Sequence, residues 1–451
     1  MNFFINKIII NGSKNINKPI ELIFSKKTLN KKMDYSNSNI KAIYGPNGSG
    51  KSGIITAMYI YKRLLADSDG INDKLFSRFI YETINKETNY LSLDIVFSML
   101  NEKKEIDCYR HKIIFTNNNE NITISKEEIY KLSGYIINNE KFKPLVLISD
   151  GTITFLQTKK KNFSSEPIYI NSLNLLDKHS VVSIIWKLIK NQFQNDFLEN
   201  YTVIKSLFSI LCLTHNMIVE LNKEDIHFDY IADRMIEKNY DEYNYNSVIK
   251  QTLENLTSKE YYIKLSTNNR DIIDSEEYLD YEKNIKKLEE FIKIFKPNLT
   301  EIIIDKKIDG NKYYCDKILN YGGKKINIEF ESTGIRKLVR LYSTLRACAN
   351  GQIAFIDEFD ANLHDVYFAK IIEFFKDDAK GQLCFTTHNL EPIEVLKNNI
   401  HSLDFVSNDS RIYSWTKNGN NSPLKKYVNG LIPYSPFNVE SFSFDILLNE
   451  E

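Results

Sequence analysis

The run Gly45-Pro46-Asn47-Gly48-Ser49-Gly50-Lys51-Ser52 constrains this chain more than any other stretch. It fits G-x-x-x-x-G-K-[ST], a loop that wraps the phosphates of a nucleoside triphosphate. Its flanks fit too. Ile40-Lys41-Ala42-Ile43-Tyr44 reads as a short buried strand, and Ile54, Ile55, Ala57, Met58, Tyr61, Leu64 and Leu65 recur at helical spacing behind the loop. Glycines at 45, 48 and 50 allow backbone angles that a Cβ forbids, so successive N–H groups converge on an anion in front of a helix N-terminus. Lys51 is expected to reach the β- and γ-phosphates, and the Ser52 hydroxyl to hold Mg²⁺. ATP and Mg²⁺ are the cofactors this loop implies.

A second motif lies far downstream. Ile353-Ala354-Phe355-Ile356 is an apolar strand that ends in Asp357-Glu358. Asp357 is expected to hold Mg²⁺, directly or through water. Glu358, placed on the opposite side by strand alternation, is expected to polarise the attacking water. Leu383-Cys384-Phe385 repeats the design and ends in Thr386-Thr387-His388. His388 could hydrogen-bond the γ-phosphate or the attacking water, with Thr386 or Thr387 holding it. Upstream, Glu331-Ser332-Thr333-Gly334-Ile335-Arg336-Lys337-Leu338 precedes a helical stretch, 339–349. Ser332 and Gly334 at a helix start make an anion-binding end, although a plain Ser-Thr N-cap also explains them.

Between these motifs the periodicity changes. Phe4–Ile10 and Ile20–Phe24 read as strands joined by Asn11-Gly12-Ser13-Lys14, and residues 90–124 alternate as an antiparallel meander, with another short strand at Val146–Ile148. From Ser180 to Pro297 the pattern is helical. Val181, Ile184, Ile185, Leu188 and Ile189 form one stripe, and 204–221 a second. A third helix has Asp274 as N-cap, Glu277 three residues on, and Ile285, Leu288, Ile292 and Phe295 on one face. Around Tyr240–Asn244 no period is evident. Strands return at Leu299–Ile304, Lys312–Ile318 and Ile326–Phe330. The expected organisation is a first half of the nucleotide core at 1–170, a helical insertion at 171–297, and a second half with an aromatic tail at 298–451.

Charge and cysteine usage narrow the function. Lys+Arg and Asp+Glu balance at 59 each, so net charge does not indicate a grip on nucleic acid, although a local patch such as Lys159-Lys160-Lys161 or Lys324-Lys325 remains open. Five scattered cysteines form no C-x-x-C pair, which argues against a zinc site or a disulfide framework. The N-terminus lacks a signal-peptide core and the most apolar run, 204–219, is short and carries polar residues. A cytoplasmic protein with no membrane contact is expected.

The order of phosphate loop, insertion, Ser-x-Gly helix, Asp-Glu strand and His-ended strand resembles the ABC-type ATPase heads of the SMC, RecF and RecN proteins and the OLD-family ATPases. The resemblance covers roughly 1–150 and 297–415 and implies an α/β fold, an ABC-type P-loop NTPase head with a mixed sheet, an antiparallel β lobe and a helical insertion. It implies ATP hydrolysis by a homodimer or higher homo-oligomer, in which Ser332 and Gly334 cap the γ-phosphate bound by the other subunit. Phe359-Asp360-Ala361-Asn362-Leu363-His364 looks like the family's D-loop. Two departures imply slow or conditional turnover. Thr333 and Ile335 replace the usual signature residues, and no Gln stands between Ser52 and Gln157, where Asn85 or another polar residue would have to serve. The tail after His388 is too short for a nuclease domain. Compact OLD-like heads of this kind resemble ATPase subunits of abortive-infection and PARIS-like anti-phage systems, which implies a sensor or scaffold with a separately encoded effector protein. The alternatives are a DNA-repair or chromosome-maintenance ATPase of RecF or SMC type, and an ATP-gated scaffold in which turnover hardly matters.

Overall fold

The computed structural model describes residues 2–29, 35–36, 38–66, 69–100, 105–158, 163–185, 202–222, 265–267, 270–399, 401–416 and 422–433. The chain begins with β1 (Phe3–Asn11), β2 (Ile20–Ile23) and β3 (Ile40–Tyr44), followed by α1 (Lys51–Ala66) and α2 (Lys74–Thr83). Five strands follow: β4 (Tyr90–Leu100), β5 (Ile106–Asn118), β6 (Asn121–Leu132), β7 (Phe142–Ser149) and β8 (Thr152–Leu156). After α3 (Pro167–Ser172) come α4 (Thr202–His215), β9 (Met217–Glu220), β10 (Asp271–Asp274) and α5 (Tyr278–Phe295). Next are β11 (Glu301–Asp309), β12 (Lys312–Tyr321), β13 (Lys324–Asn327) and α6 (Thr333–Ala349). The chain continues with β14 (Ile353–Ile356), α7 (Asp365–Asp377), β15 (Gln382–Thr386), α8 (Glu391–Leu396), β16 (Leu403–Val406), β17 (Ile412–Ser414) and α9 (Pro423–Val428).

These strands form two large sheets and one small one. The antiparallel sheet runs β2-β1-β4-β5-β6-β7-β8, and the second runs β17-β16-β3-β15-β14-β9, parallel except for β17. β10 to β13 form an antiparallel sheet around β12. The predicted meander is therefore larger than its alternation at 90–124 suggested, because β6, β7 and β8 extend it and β1 and β2 join it.

Helix α1 explains how the two large sheets are held. Almost all of it is buried, including Ile54, Ile55, Met58, Tyr61, Leu64 and Leu65. One core encloses it together with Ile8, Leu93 and Phe97 of the antiparallel sheet and Ile43, Phe355 and Cys384 of the parallel one. A helix apolar nearly all round has to be buried on both sides. The opposite face of the parallel sheet, through Ala42, Tyr44, Ala354, Ile356 and Phe385, packs on α5 to α8 in a second core. A bulge between Ile5 and Lys7 in β1 supplies a further tie. The Ile5 N–H donates to the Gln382 amide oxygen at 2.9 Å, and the Gln382 amide nitrogen donates to the Ile5 carbonyl at 3.0 Å. Beneath the loop, Lys41 of β3 and Asp404 of β16 form a fully buried ion pair at 2.5 Å, with the Ser414 hydroxyl donating to the same carboxylate.

The expected helical insertion needs revision where it is described. The run 204–221 is not one helix. Its first part is α4, and Met217–Glu220 is a strand that pairs in parallel with β14. The stretch 202–220 therefore belongs to the nucleotide sheet and its covering helix rather than to a separate insertion. Asp274 is not an N-cap but the last residue of β10, and α5 starts after Glu277, which makes no side-chain cap. The stripe of Ile285, Leu288 and Ile292 is buried as expected. Ile326–Phe330 is strand only to Asn327, with a 3₁₀ turn after it. Leu188 and Ile189, Tyr240–Asn244, Lys159–Lys161 and the aromatic tail from Tyr434 lie outside the described residues. All five cysteines are buried as thiols.

Candidate active site

The parallel register sets the site. Thr386 pairs with Ile43, Phe405 with Tyr44, and Ile356 with both Phe385 and Glu220. The carboxyl ends of β3, β14, β15 and β9 thus finish on one edge, where ligands of open α/β sheets bind. The phosphate loop follows β3, Asp357-Glu358 follow β14, and Thr387-His388 follow β15.

In the loop, Asn47 and Gly48 are exposed at the tip, whereas Gly45, Ser49, Gly50 and Lys51 are buried, and Pro46 and Ser52 are half-buried. Gly45 has no room for a side chain, since a Cβ would lie 2.3 Å from the Val406 carbonyl oxygen. Gly50, at φ +95°, would drive a Cβ to 2.6 Å from Ile16. The turn after β1 braces the loop from outside: the Asn15 amide donates to the Gly48 carbonyl at 2.8 Å, and the Ser13 hydroxyl to that of Gly53 at 2.7 Å. The Lys51 ammonium donates to the carbonyls of Gly45 and Pro46 at 2.8 and 2.9 Å. Burial lowers its pKa, and the carboxylates of Asp357, Glu358 and Asp360 pull it back up. The loop is thus a glycine cradle that no Cβ could occupy, with a lysine facing acids and a buried Ser49 hydroxyl without a hydrogen-bond partner among the described residues. Those features fit a triphosphate with its cation.

The acids are tied to β15. Asp357 is buried, and the Thr386 hydroxyl donates to its Oδ1 at 2.6 Å while accepting the Glu358 N–H at 2.7 Å. Glu358 sits at φ +44°, so its side-chain direction follows from a left-handed turn and not from the strand alternation expected. The amide of Asn222, just past β9, donates to Glu358 Oε2 at 2.6 Å. The Lys337 ammonium, from α6, donates to the Glu358 carbonyl at 2.6 Å.

His388 is exposed at the end of β15, and its backbone N–H donates to Asp360 Oδ2 at 3.3 Å. Neither threonine holds its ring as expected: Thr386 serves the acids, and the Thr387 hydroxyl accepts the Asn389 N–H at 3.0 Å. Partial desolvation of the ring, then the charge of Lys51, lowers the His388 pKa, against the pull of Asp360 and Asp357. Ser332 is exposed at the start of α6, without a side-chain cap, and its N–H donates to Glu331 Oε2 at 2.7 Å. A Cβ on Gly334 would lie 2.5 Å from the Asn362 carbonyl oxygen. The described contacts of Ser332 and Gly334 are therefore with Glu331 and the turn after the acids, not with residues 45–52. Asn85 donates to the Lys14 carbonyl at 2.7 Å and caps its own turn.

The sheet edge gathers a phosphate cradle, two acids and a polar strand end, with an antiparallel lobe on its flank and a Ser-x-Gly helix start against the following turn. This arrangement of residues suits the binding of a nucleoside triphosphate with its cation. Residues 224–394 match the family model described as "AAA domain, putative AbiEii toxin, Type IV TA system". No curated relative matches the chain. Among solved structures, the SMC head domain from Thermotoga maritima aligns at 14% identity over 91% of this chain and 99% of its own, with a TM-score of 0.33. The recombination mediator protein RecF with ATP aligns at 13% identity over 92% and 98%, also with a TM-score of 0.33. Among the described residues no helix is long and apolar enough to cross a membrane.

Sequence reasoning gave no role to Asn222 or Lys337, and named Asp360 only as part of the D-loop. Asn222 followed a run read as helix, and Lys337 stood in the stretch 331–338 ahead of the helix with no role assigned.

Proposed function

We propose that this chain is an ABC-type P-loop ATPase that works as an ATP-sandwiched homodimer or higher homo-oligomer, and as the sensor and scaffold subunit of an anti-phage abortive-infection pair whose effector is a separate protein. The observation that carries the dimer is the presentation of the signature. Ser332 is exposed, while Gly334 locks the same helix start onto the turn at Asn362. A second copy's γ-phosphate can reach that N–H-rich helix end from solvent. The family description over residues 224–394 names a toxin of a toxin–antitoxin system, which supports the defence setting over a repair setting.

In this reading Lys51 reaches the β- and γ-phosphates, the N–H groups of residues 45–52 cradle them, and Ser52 with Asp357 holds Mg²⁺. Bound Mg²⁺ supplies positive charge against the phosphate oxygens. Glu358 accepts the proton of the attacking water. His388 orients the water or the γ-phosphate from the end of β15.

Tagged Glu358→Gln protein with ATP, recovered from its host, tests the reading. Light scattering is expected to show ATP-dependent dimers, and mass spectrometry a stoichiometric protein partner without nucleic acid. Bound DNA without a protein partner would replace it with the repair reading. Ser332→Arg is expected to abolish the dimers, and dimers that survive it would remove the trans role of the signature.

A further inference from the structure

Three polar atoms of Glu358 are bonded from three different elements, and its carbonyl also accepts the Ala361 N–H of the following turn at 3.1 Å. Its N–H goes to Thr386 of β15, its carbonyl takes the Lys337 ammonium of α6, and its carboxylate takes the Asn222 amide beyond β9. A glutamate reaches φ +44° only when its surroundings hold it there. Lys337 is 9% exposed, so its charge stays buried for a partner. The Coulombic influences on it are those of Asp360, Glu358 and Asp357, against Arg340 one turn on. Asn222 is only half-buried, so packing alone does not fix it.

We propose that Asn222 and Lys337 are positioning residues for ATP hydrolysis: Asn222 aims the Glu358 carboxylate, and Lys337 holds the left-handed backbone beneath it. This rests on the reading of Glu358 as the water-activating group. An N–H donor to one carboxylate oxygen fixes the plane of the group and so the direction in which it meets the water. The ammonium on the carbonyl stops the peptide from relaxing out of its strained angle. Because Lys337 lies one turn past Gly334 on α6, the helix that presents the signature also sets the direction of Glu358 in its own subunit.

The test is ATP turnover by the full chain in single-turnover and steady-state modes. Variants are Asn222→Ala, Asn222→Asp, Lys337→Met and Glu358→Gln, plus each of the first three combined with Glu358→Gln. Fluorescent-nucleotide affinity serves as the check that each variant folds. Asn222→Ala and Lys337→Met are expected to lower kcat about tenfold with KM held within about twofold, the scale of one hydrogen bond to a charged group. Asn222→Asp keeps the shape but opposes two like charges, and is expected to lose more than Asn222→Ala. With Glu358→Gln in place, each further change is expected to cost less than about twofold, because the group being positioned no longer acts as a base. Wild-type kcat in Asn222→Ala and Asn222→Asp, a loss confined to KM, or losses that multiply fully with Glu358→Gln would each overturn the proposal. Wild-type turnover by Glu358→Gln alone would instead remove the base assignment on which it stands, and the single variant reads that separately.

Discussion

Thr386→Val probes how the two acids are held, and its size follows from the geometry. Thr386 is fully buried, and its hydroxyl makes two bonds, to Asp357 Oδ1 at 2.6 Å and from the Glu358 N–H at 2.7 Å. Valine keeps the shape and removes both. Losing a donor to a carboxylate costs about 1.5–3 kcal/mol, and a buried N–H left without its acceptor about 1–3 kcal/mol. The sum is about 2.5–6 kcal/mol before any relaxation. Thr386→Ser is the control, because it keeps the hydroxyl and removes one methyl, worth about 1 kcal/mol. Urea unfolding, read as a shift in midpoint at unchanged slope, is expected to separate the two variants by about 1.5–5 kcal/mol. ATP turnover is expected to fall far more in Thr386→Val than in Thr386→Ser, since the Glu358 peptide loses its anchor. Equal destabilisation by the two variants, or wild-type turnover in Thr386→Val, would refute the argument that this hydroxyl holds the acids.

Glu358→Gln is expected to bind ATP normally and turn over about 10²–10³-fold more slowly, measured by phosphate release, while Lys51→Ala is expected to lose ATP binding in a filter or fluorescence assay. Gly334→Ala puts a Cβ 2.5 Å from the backbone oxygen of Asn362, which cannot swing aside, so a loss of about 1–3 kcal/mol and a lower kcat are expected. An unchanged urea midpoint and kcat would mean that the turn yields without cost. Burial first, then Arg340, lowers Lys337 from the ordinary 10.5 to about 8. Between those values the unfolded chain binds more protons than the folded one, so stability contributed at this site rises with pH across that window and is least below it. Wild type is therefore expected to gain about 1–2 kcal/mol relative to Lys337→Met between about pH 7.5 and 9.5, and a gap independent of pH would contradict it.

The parts legible in the sequence are those whose physics is local. The phosphate loop could be read because its glycines, lysine and serine are consecutive and its flanking strand and helix carry their own periodicities. The strand ends at Asp357 and His388 could be read for the same reason. The run 204–221 could not be divided, because a short apolar segment looks alike as helix or as buried strand. Only its pairing with β14 decides that Met217–Glu220 is extended. Asp274 and Glu277 satisfied a capping spacing, but antiparallel pairing of Asp274 with Lys312 outweighed it. The clamp between Gln382 and Ile5 joins residues 377 apart, so no window of sequence contains it.

Glu358 shows why site geometry lags behind site identity. Strand alternation puts a residue after Asp357 on the opposite face, and that argument holds only while the backbone stays extended. Here β14 ends at Ile356, and the next residues turn under tertiary control: the Asp357 N–H goes to the Glu220 carbonyl and the Phe359 N–H to that of Thr386. Two neighbouring strands therefore pull the peptide into the left-handed region at residue 358, and the direction of its carboxylate depends on β9 and β15 together. A sequence motif records that an acid stands at this position. Where it points depends on Asn222, Lys337 and Thr386, whose shared target becomes visible only when the sheet is assembled. Substitutions at those three positions should therefore change turnover with the phosphate loop, Asp357 and Glu358 intact, which is the pattern that a reading from those residues alone does not anticipate.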